Sequence, residues 1–368
     1  MTEPVKDTAA AVATKDAGPG QGGLDLSKVA GYLAYHRPGL MTGPLSSRLL
    51  AGGRSNLTYA VTDGTTELVL RRPPLAHVQA SAHDMGREYR VISALGSTEV
   101  PVPRTELLCQ DPAVIGAPFY LMELSPGIAY RRRSAIAALG PDTLRRLTFD
   151  LVDTLVTLHA VDPETVGLGD LGKVAGFNTR QLRTWRRQLE GLRSRDLPGI
   201  DELAELLSGN IPETGTGGLV HGDYRLDNVL IDGPAGAERI TAVLDWEMST
   251  LGDPLSDLAL LLLYADQPML TGEGPNDASS TIGSVPGHPS AAEIVDRYRN
   301  ASGRDVSDLH WYQAFAAFKL AVVLEGVFFR FQHGATLGGS GFDGIADMVQ
   351  PLVDKGLTTL SQTTPRER

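Results

Sequence analysis

Three side chains have the types and spacing that phosphoryl transfer needs. The stretch Leu219-Val220-His221-Gly222-Asp223-Tyr224-Arg225-Leu226-Asp227-Asn228 carries an aspartate with an asparagine five residues on, and Val243-Leu244-Asp245-Trp246-Glu247 adds a second aspartate after a β-rich run. A carboxylate at Asp223 can accept the proton of an acceptor hydroxyl. The side-chain oxygens of Asn228 and Asp245 are hard donors of the kind that hold magnesium against phosphates. This chemistry asks mainly for positioning and charge neutralisation, so one base and two oxygen ligands supply most of the machinery.

The flanking elements must hold these groups. Gly218–Val220, Val229–Asp232 and Ile240–Leu244 read as short β-rich runs, which puts the acids on loops and strand ends of a buried scaffold. Upstream, Ser46–Leu50, Leu57–Thr62 and Glu67–Arg71 read as an antiparallel meander, with Asp63-Gly64 predicted to form a type I′ hairpin turn. Ser81–Leu95 places Met85, Tyr89, Ile92 and Leu95 near helical spacing and ends at Gly96, a C-terminal cap; Thr105–Cys109 and Phe119–Leu124 complete five strands. A short lead-in helix is expected within Leu24–His36. Beyond Pro126-Gly127 the pattern turns helical over Pro141–Val161, Asn178–Arg195, Ile200–Gly209, Pro254–Ala265, Ala291–Ser302 and Asp308–Gln332. Residues 267–290, rich in Gly, Pro, Ser and Asp, read either as a substrate lid or as a loose surface loop. The expected organisation is a disordered tail over 1–23, an N-terminal lobe over 24–125 and a larger helical lobe over 126–368.

The run His221–Asn228, with Leu244-Asp245-Trp246-Glu247 and Gly252-Asp253-Pro254 through Asp257-Leu258-Ala259, resembles the aminoglycoside phosphotransferase and choline kinase superfamily. Ile115-Gly116-Ala117-Pro118-Phe119-Tyr120-Leu121-Met122-Glu123 and Arg71-Arg72-Pro73-Pro74 resemble the kinase-like domains found beside or fused to acyl-CoA dehydrogenases. The resemblance spans roughly residues 45–350. It implies an α+β, two-lobed protein-kinase-like fold, with a small antiparallel β-sheet lobe, a larger mainly helical lobe and nucleotide in the cleft between them. It also implies ATP and Mg2+ as cofactors, Asp223 as the catalytic base, and Asn228 and Asp245 as the metal ligands. His159, His221, Asp253 and Asp257 read as scaffold or capping residues, and Glu247 as a residue that could reach a metal through water.

The first lobe then has to supply phosphate and adenine contacts. In Ala51-Gly52-Gly53-Arg54-Ser55-Asn56 the backbone at Gly53, Ser55 and Asn56 could cover the phosphates, although ordinary turn chemistry accounts for the glycines as well. The family pattern places a lysine at the end of the third strand, where this chain has Leu68-Val69-Leu70-Arg71-Arg72. Arg71 aligns best with that position, paired with Glu88 of the following helix; Arg72, or a purely structural surface ion pair, is the alternative. Glu123 and Leu124 lie at the hinge, where backbone groups would meet adenine.

With 33 Lys and Arg against 44 Asp and Glu, the net charge is −11, which speaks for solubility and against a nucleic-acid partner. The one cysteine, Cys109, lies in an apolar run and is expected in the core. Without an apolar stretch in the first 23 residues, and with no run long enough to span a bilayer, the chain is expected in the cytoplasm and away from membranes.

The acceptor is read as a hydroxyl-bearing small molecule. Arg131, Arg132 and Arg133 past the hinge, and Arg180, Arg183, Arg186 and Arg187 on a predicted helix, are basic clusters in an acidic chain. A solvated basic face explains them; so does a site for an anionic acceptor such as a hydroxyacyl-CoA, with Arg131, Arg132, Arg133, Arg183 and Arg187 as its contacts. An aminoglycoside acceptor, or a nucleotide-binding pseudokinase role suggested by the missing lysine, are the alternatives.

Overall fold

β-Branched, aromatic and leucine side chains in Leu57–Thr62 and Glu67–Arg72 give the N-terminal region its sheet. The computed structural model describes residues 24–50, 56–74, 84–192, 195–266, 281–333 and 344–362, so the expected tail over 1–23 and most of the expected insertion fall outside the described residues. The chain divides into two units. One runs to Tyr130 and takes in Asp227–Ser249; the other comprises Arg131–Leu226 and the chain from Thr250 onward.

In the first unit, strands β1 (Ser46–Leu49), β2 (Leu57–Thr62), β3 (Glu67–Arg72), β4 (Thr105–Cys109) and β5 (Phe119–Glu123) form one antiparallel sheet in the order β1-β2-β3-β5-β4. Helix α1 (Leu26–His36) is capped by Asp25 and buries Val29 and Leu33, one turn apart, among Tyr59, Val61, Leu70 and Phe119. Burial of such a side chain stabilises by about 2 kcal/mol, which is what orders an 11-residue helix too short to persist alone. Cys109 is fully buried in the same core. Helices α2 (Met85–Leu95), capped by Asp84, and α3 (Pro112–Ile115) complete this part.

The predicted type I′ turn does not form. Thr62 pairs with Glu67, leaving a four-residue loop, and among the described residues only Gly64 of that loop has a positive φ. The reason is the Asp63 carboxylate, which accepts the N–H groups of Thr65 (2.9 Å), Thr66 (2.7 Å) and, from the preceding segment, Thr42 (2.7 Å). A side chain that satisfies the turn's own donors removes the need for the mirror-image backbone.

Residues 227–249, assigned from sequence to the second lobe, cluster with the first unit. Val229–Asp232 and Arg239–Val243 form a hairpin. Ile231 and Ile128 exchange backbone hydrogen bonds (2.9 and 3.0 Å), Val243 N–H donates to the Pro101 carbonyl (2.7 Å), and the Thr241 hydroxyl donates to that of Pro126 (2.6 Å). Gly127, at φ 124°, lies so close that a Cβ there would meet the Ile231 carbonyl oxygen at 2.9 Å. Only glycine fits.

The second unit is mainly helical: α4 (Arg133–Ala137), α5 (Pro141–Ala160), α6 (Phe177–Leu192), α7 (Ile200–Gly209), α8 (Leu255–Ala265), α9 (Ala291–Ser302), α10 (Leu309–Gln332) and α11 (Ile345–Ser361). Its two short strands, Gly218–Val220 and Thr250–Gly252, pair with each other. Helix α10 is apolar around most of its circumference and packs against α6, α7, α8 and α11, so it is the internal post of the unit. Among the described residues no helix is long and apolar enough to cross a membrane.

Candidate active site

Gly222 and Asp223 follow a three-residue strand, and the turn between them is held from beneath by one carboxylate. Gly222 takes φ 85°, a left-handed conformation that glycine adopts without penalty. Asp257, in the first turn of α8, accepts the backbone N–H groups of His221 (2.6 Å) and Gly222 (2.8 Å) and is itself 3.3 Å from the Nε2 of His159. The His159 ring reaches the Tyr298 hydroxyl with its other nitrogen (2.8 Å). Burial pushes the Asp257 carboxyl up, but the hydrogen bond from His159 and the loop donors outweigh it and hold Asp257 below its ordinary value. Burial lowers His159, so its ring is held neutral. His221 accepts the Asp223 N–H at its Nδ1 (3.2 Å), and Asp253 binds the Tyr312 hydroxyl (2.7 Å) and caps α8 through the Leu255 N–H (3.0 Å).

The Asp223 side chain is 26% exposed, enough for a ligand to reach it. Its neighbours escaped sequence reasoning. The Tyr264 hydroxyl donates to Oδ1 (2.9 Å), the Arg225 Nε stands 3.6 Å from Oδ2, and the Arg225 guanidinium lies over the Tyr264 ring, 4.8 Å from its centroid. Lys319 of α10 donates from Nζ to the Gly222 carbonyl (3.1 Å) and faces the Trp185 ring of α6 at 5.6 Å. Of these, only Arg225, two residues from Asp223, carried a signal in the sequence.

In the first unit a second cluster forms around Arg71. Its Nε lies 3.2 Å from Glu88 Oε2 and its NH2 group 2.5 Å from Asp245 Oδ1, so one guanidinium bridges a helix carboxylate and the aspartate after the Arg239–Val243 strand. Glu88 is 1% exposed, and burial raises its carboxyl against the pull of Arg71. Arg71 is held above its ordinary value: burial opposes its charge, but Glu88, Tyr120 and Asp245 prevail. Arg72 is spent on backbone carbonyls, those of Ile115 (3.2 Å) and Pro73 (3.4 Å). Asp245 takes φ 67° and ψ 57°, the only non-glycine positive φ among the described residues. The hairpin sets Asn228 beside it: Val229 pairs with Val243, and Leu244 N–H donates to the Asn228 carbonyl (2.8 Å).

The other expected site residues are placed less directly. Gly53 and Ser55 lie outside the described residues. Asn56 is buried, and its amide donates to Glu247 (3.1 Å), so this side chain fixes a neighbour of Asp245. Glu123 accepts from the Ser125 hydroxyl (3.1 Å) and gives its N–H to the Arg104 carbonyl (2.8 Å), and Leu124 follows the end of β5. Arg131, Arg132 and Arg133 are half-buried at the start of α4. On α6, Arg180 is turned onto the Lys173 and Ala175 carbonyls, and Arg186 onto Glu205 (2.6 Å) and Ser208 (2.7 Å). Arg183 and Arg187 are exposed on the face opposite buried Leu182, Trp185 and Leu189.

Residues 46–294, which include the Arg71 cluster and the Asp223 loop with Asp257 and Tyr264 but not Lys319, match the model of the phosphotransferase enzyme family. The chain belongs to that family. It is 35% identical over 341 residues to acyl-CoA dehydrogenase family member 11 of Gallus gallus, a match covering 91% of this chain and 43% of the relative, so the chain spans under half that protein's length. A Ralstonia eutropha structure described as a candidate aminoglycoside phosphotransferase is 30% identical with a TM-score of 0.77, covering 93% of this chain and 99% of its own. At 15% identity, a thermostable mutant of aminoglycoside phosphotransferase APH(4)-Ia, solved with ADP and hygromycin B, shares the fold with a TM-score of 0.58, covering 87% and 95%. The fold is therefore the two-lobed, kinase-like α+β fold, with its antiparallel sheet and its helical part.

Proposed function

We propose that the chain transfers the γ-phosphate of ATP to a hydroxyl of a small, anionic acceptor with the help of Mg2+. The observation that carries this reading is the unbroken contact from Glu88 through Arg71 to Asp245, because it joins the phosphate-clamp and metal positions of the motif in one cluster. The donor set fits magnesium. One carboxylate, Asp245, and one amide, Asn228, are hard oxygens that leave the remaining positions to water and phosphate, which is how this ion is usually held. When bound, the ion would neutralise charge on the phosphates.

The protein's own groups then have distinct tasks. Arg71 steadies the phosphates with a planar cation whose orientation Glu88 fixes from behind. Backbone groups of Gly53, Ser55 and Asn56 cover the phosphates, and the hinge at Glu123 and Leu124 faces adenine, with the Glu123 N–H already committed to Arg104. Asp223 accepts the acceptor hydroxyl proton at the oxygen not held by Tyr264, while Asp257 keeps the loop backbone from drifting. Arg131, Arg132, Arg133, Arg183 and Arg187 are outer contacts for an acceptor's phosphates, as a hydroxyacyl-CoA would present. That acceptor class is supported by the likeness to an acyl-CoA dehydrogenase family member. Aminoglycoside phosphorylation is the second reading, favoured by the Ralstonia eutropha neighbour.

The test is phosphate transfer from ATP to a panel of hydroxyacyl-CoA esters and aminoglycosides, with wild type beside Asp223→Asn. Turnover is expected to fall by on the order of 10²-fold or more in Asp223→Asn with ATP binding retained. Full turnover in purified Asp223→Asn would remove Asp223 from the reaction.

A further inference from the structure

Two cations and two carboxylates lie around the Gly222–Asp223 turn, and the second cation comes from an unexpected place. Arg225 is part of the loop, whereas Lys319 reaches in from α10, the apolar post of the second unit. A lysine on such a helix must have a reason to be there, because the desolvation of an ammonium is costly. Its surroundings repay that cost: the Gly222 carbonyl takes one donor, the Trp185 ring offers its negative face, and Asp223 and Asp257 attract the charge, although burial lowers its pKa. Two imidazoles also face Asp257: His159, which is held neutral and adds no charge, and His221, whose Nδ1 accepts the Asp223 N–H.

We infer that Lys319 determines which acceptors Asp223 serves, by excluding polycations from the turn and leaving it open to neutral and anionic alcohols. With Lys319 present, Arg225 and Lys319 balance Asp223 and Asp257. Without it the turn keeps a net negative charge, the property an acceptor bearing several ammonium groups requires. A like charge beside a reacting group discriminates by repulsion, which excludes the wrong partner without tightening the right one. Arg183 and Arg187 do not do this work, since they occupy the face of α6 opposite Trp185. The inference rests on Asp223 being the base of a phosphotransferase, and it makes Lys319 a specificity-determining, positioning residue.

The experiment is calorimetry of kanamycin and of 3-hydroxybutyryl-CoA against wild type, Lys319→Met, Lys319→Arg and the pair Arg183→Glu/Arg187→Glu, with ADP release measured in parallel. In Lys319→Met the affinity ratio of kanamycin over the thioester is expected to rise about tenfold, and in Lys319→Arg to stay within about threefold of wild type. Where turnover is seen, the change should fall on the acceptor KM and not on kcat. An unchanged ratio in Lys319→Met, absence of kanamycin binding in every variant, or an equal shift in Lys319→Arg would overturn the inference, the last by showing that the residue only props the loop. So would a gain in kanamycin affinity from the α6 pair at least as large as that from Lys319→Met; a loss of thioester affinity in that pair is the expected result of removing outer phosphate contacts. Failure of the proposed function has a different signature: wild type itself prefers and phosphorylates kanamycin, whatever Lys319→Met then does to the ratio.

Discussion

Asp257 meets its charge with the backbone N–H groups of His221 and Gly222 and with the His159 ring, whereas Glu88 meets its own chiefly with the guanidinium of Arg71, helped by the Tyr120 hydroxyl and the Trp246 backbone. Both carboxylates are almost wholly buried, yet their proton affinities move in opposite directions: Asp257 is held below its ordinary value and Glu88 is raised above it. The contrast is between fixed and movable partners. Backbone donors cannot turn away, so Asp257 is a permanent brace; Arg71 is a side chain shared between Glu88 and Asp245, and the proposed function requires it to turn from them towards the phosphates.

The largest effect expected from this contrast is on stability. Asp257→Ala leaves two loop N–H groups and the His159 ring without their acceptor and should cost about 3 kcal/mol in chemical denaturation. Glu88→Gln should cost much less, because a carboxyl already raised by burial gives up little charge stabilisation when made neutral. Equal losses from the two variants would erase the distinction.

The next effect concerns the movable partner. Arg71→Ala should weaken ATP binding by about tenfold, while Arg72→Ala, which empties a buried contact to the Ile115 and Pro73 carbonyls, should lower the melting temperature and leave ATP affinity near wild type. Indistinguishable nucleotide affinities would mean that Arg71 is no clamp.

The smallest effect is a pH slope. Burial lowers His159 from its ordinary 6.5, so its proton binds the unfolded chain more readily than the native one. Its contribution is intact above about pH 6.5 and is lost as the pH falls from there towards the native value. Glu88, being raised, runs the other way: ionising it costs stability, and that cost is relieved as the pH falls through its native value towards 4.5. Stability measured from pH 7.5 to 5 should therefore decline less steeply in His159→Asn than in wild type, and an unchanged slope would mean that His159 is not held neutral.

The sequence spacing made Asn228 and Asp245 legible as neighbours because one short hairpin joins them, where chain distance and spatial distance agree. Arg71 and Glu88 could be paired because the family pattern sets a cation at the end of the third strand against a glutamate of the following helix, and the two are 3.2 Å apart. Tyr264 and Lys319 could not be found that way. Each sits in an apolar helical run whose register against the loop depends on packing in the second unit, and nothing local marks one polar residue there as special. The helix Ile345–Ser361 went unanticipated; it carries Pro351 in its interior, and buried Val349, Leu352 and Val353 hold it against its neighbours. The four-residue Asp63 loop shows the converse, a familiar dipeptide redirected by a carboxylate that satisfied the turn first.

The backbone at Asp245 also sorts amino acids independently of their charge. At φ 67° and ψ 57°, glycine is at ease and asparagine nearly so, whereas alanine and every β-branched residue are strained. A library with all twenty residues at position 245 should then yield two different rankings. Ranked by folded yield, Gly and Asn stand with Asp at the top and Val and Ile at the bottom; ranked by magnesium-dependent nucleotide retention, Asp stands apart from both. The distance between Asn and Ala in the first ranking measures the conformation, and the distance between Asp and Asn in the second measures the carboxylate.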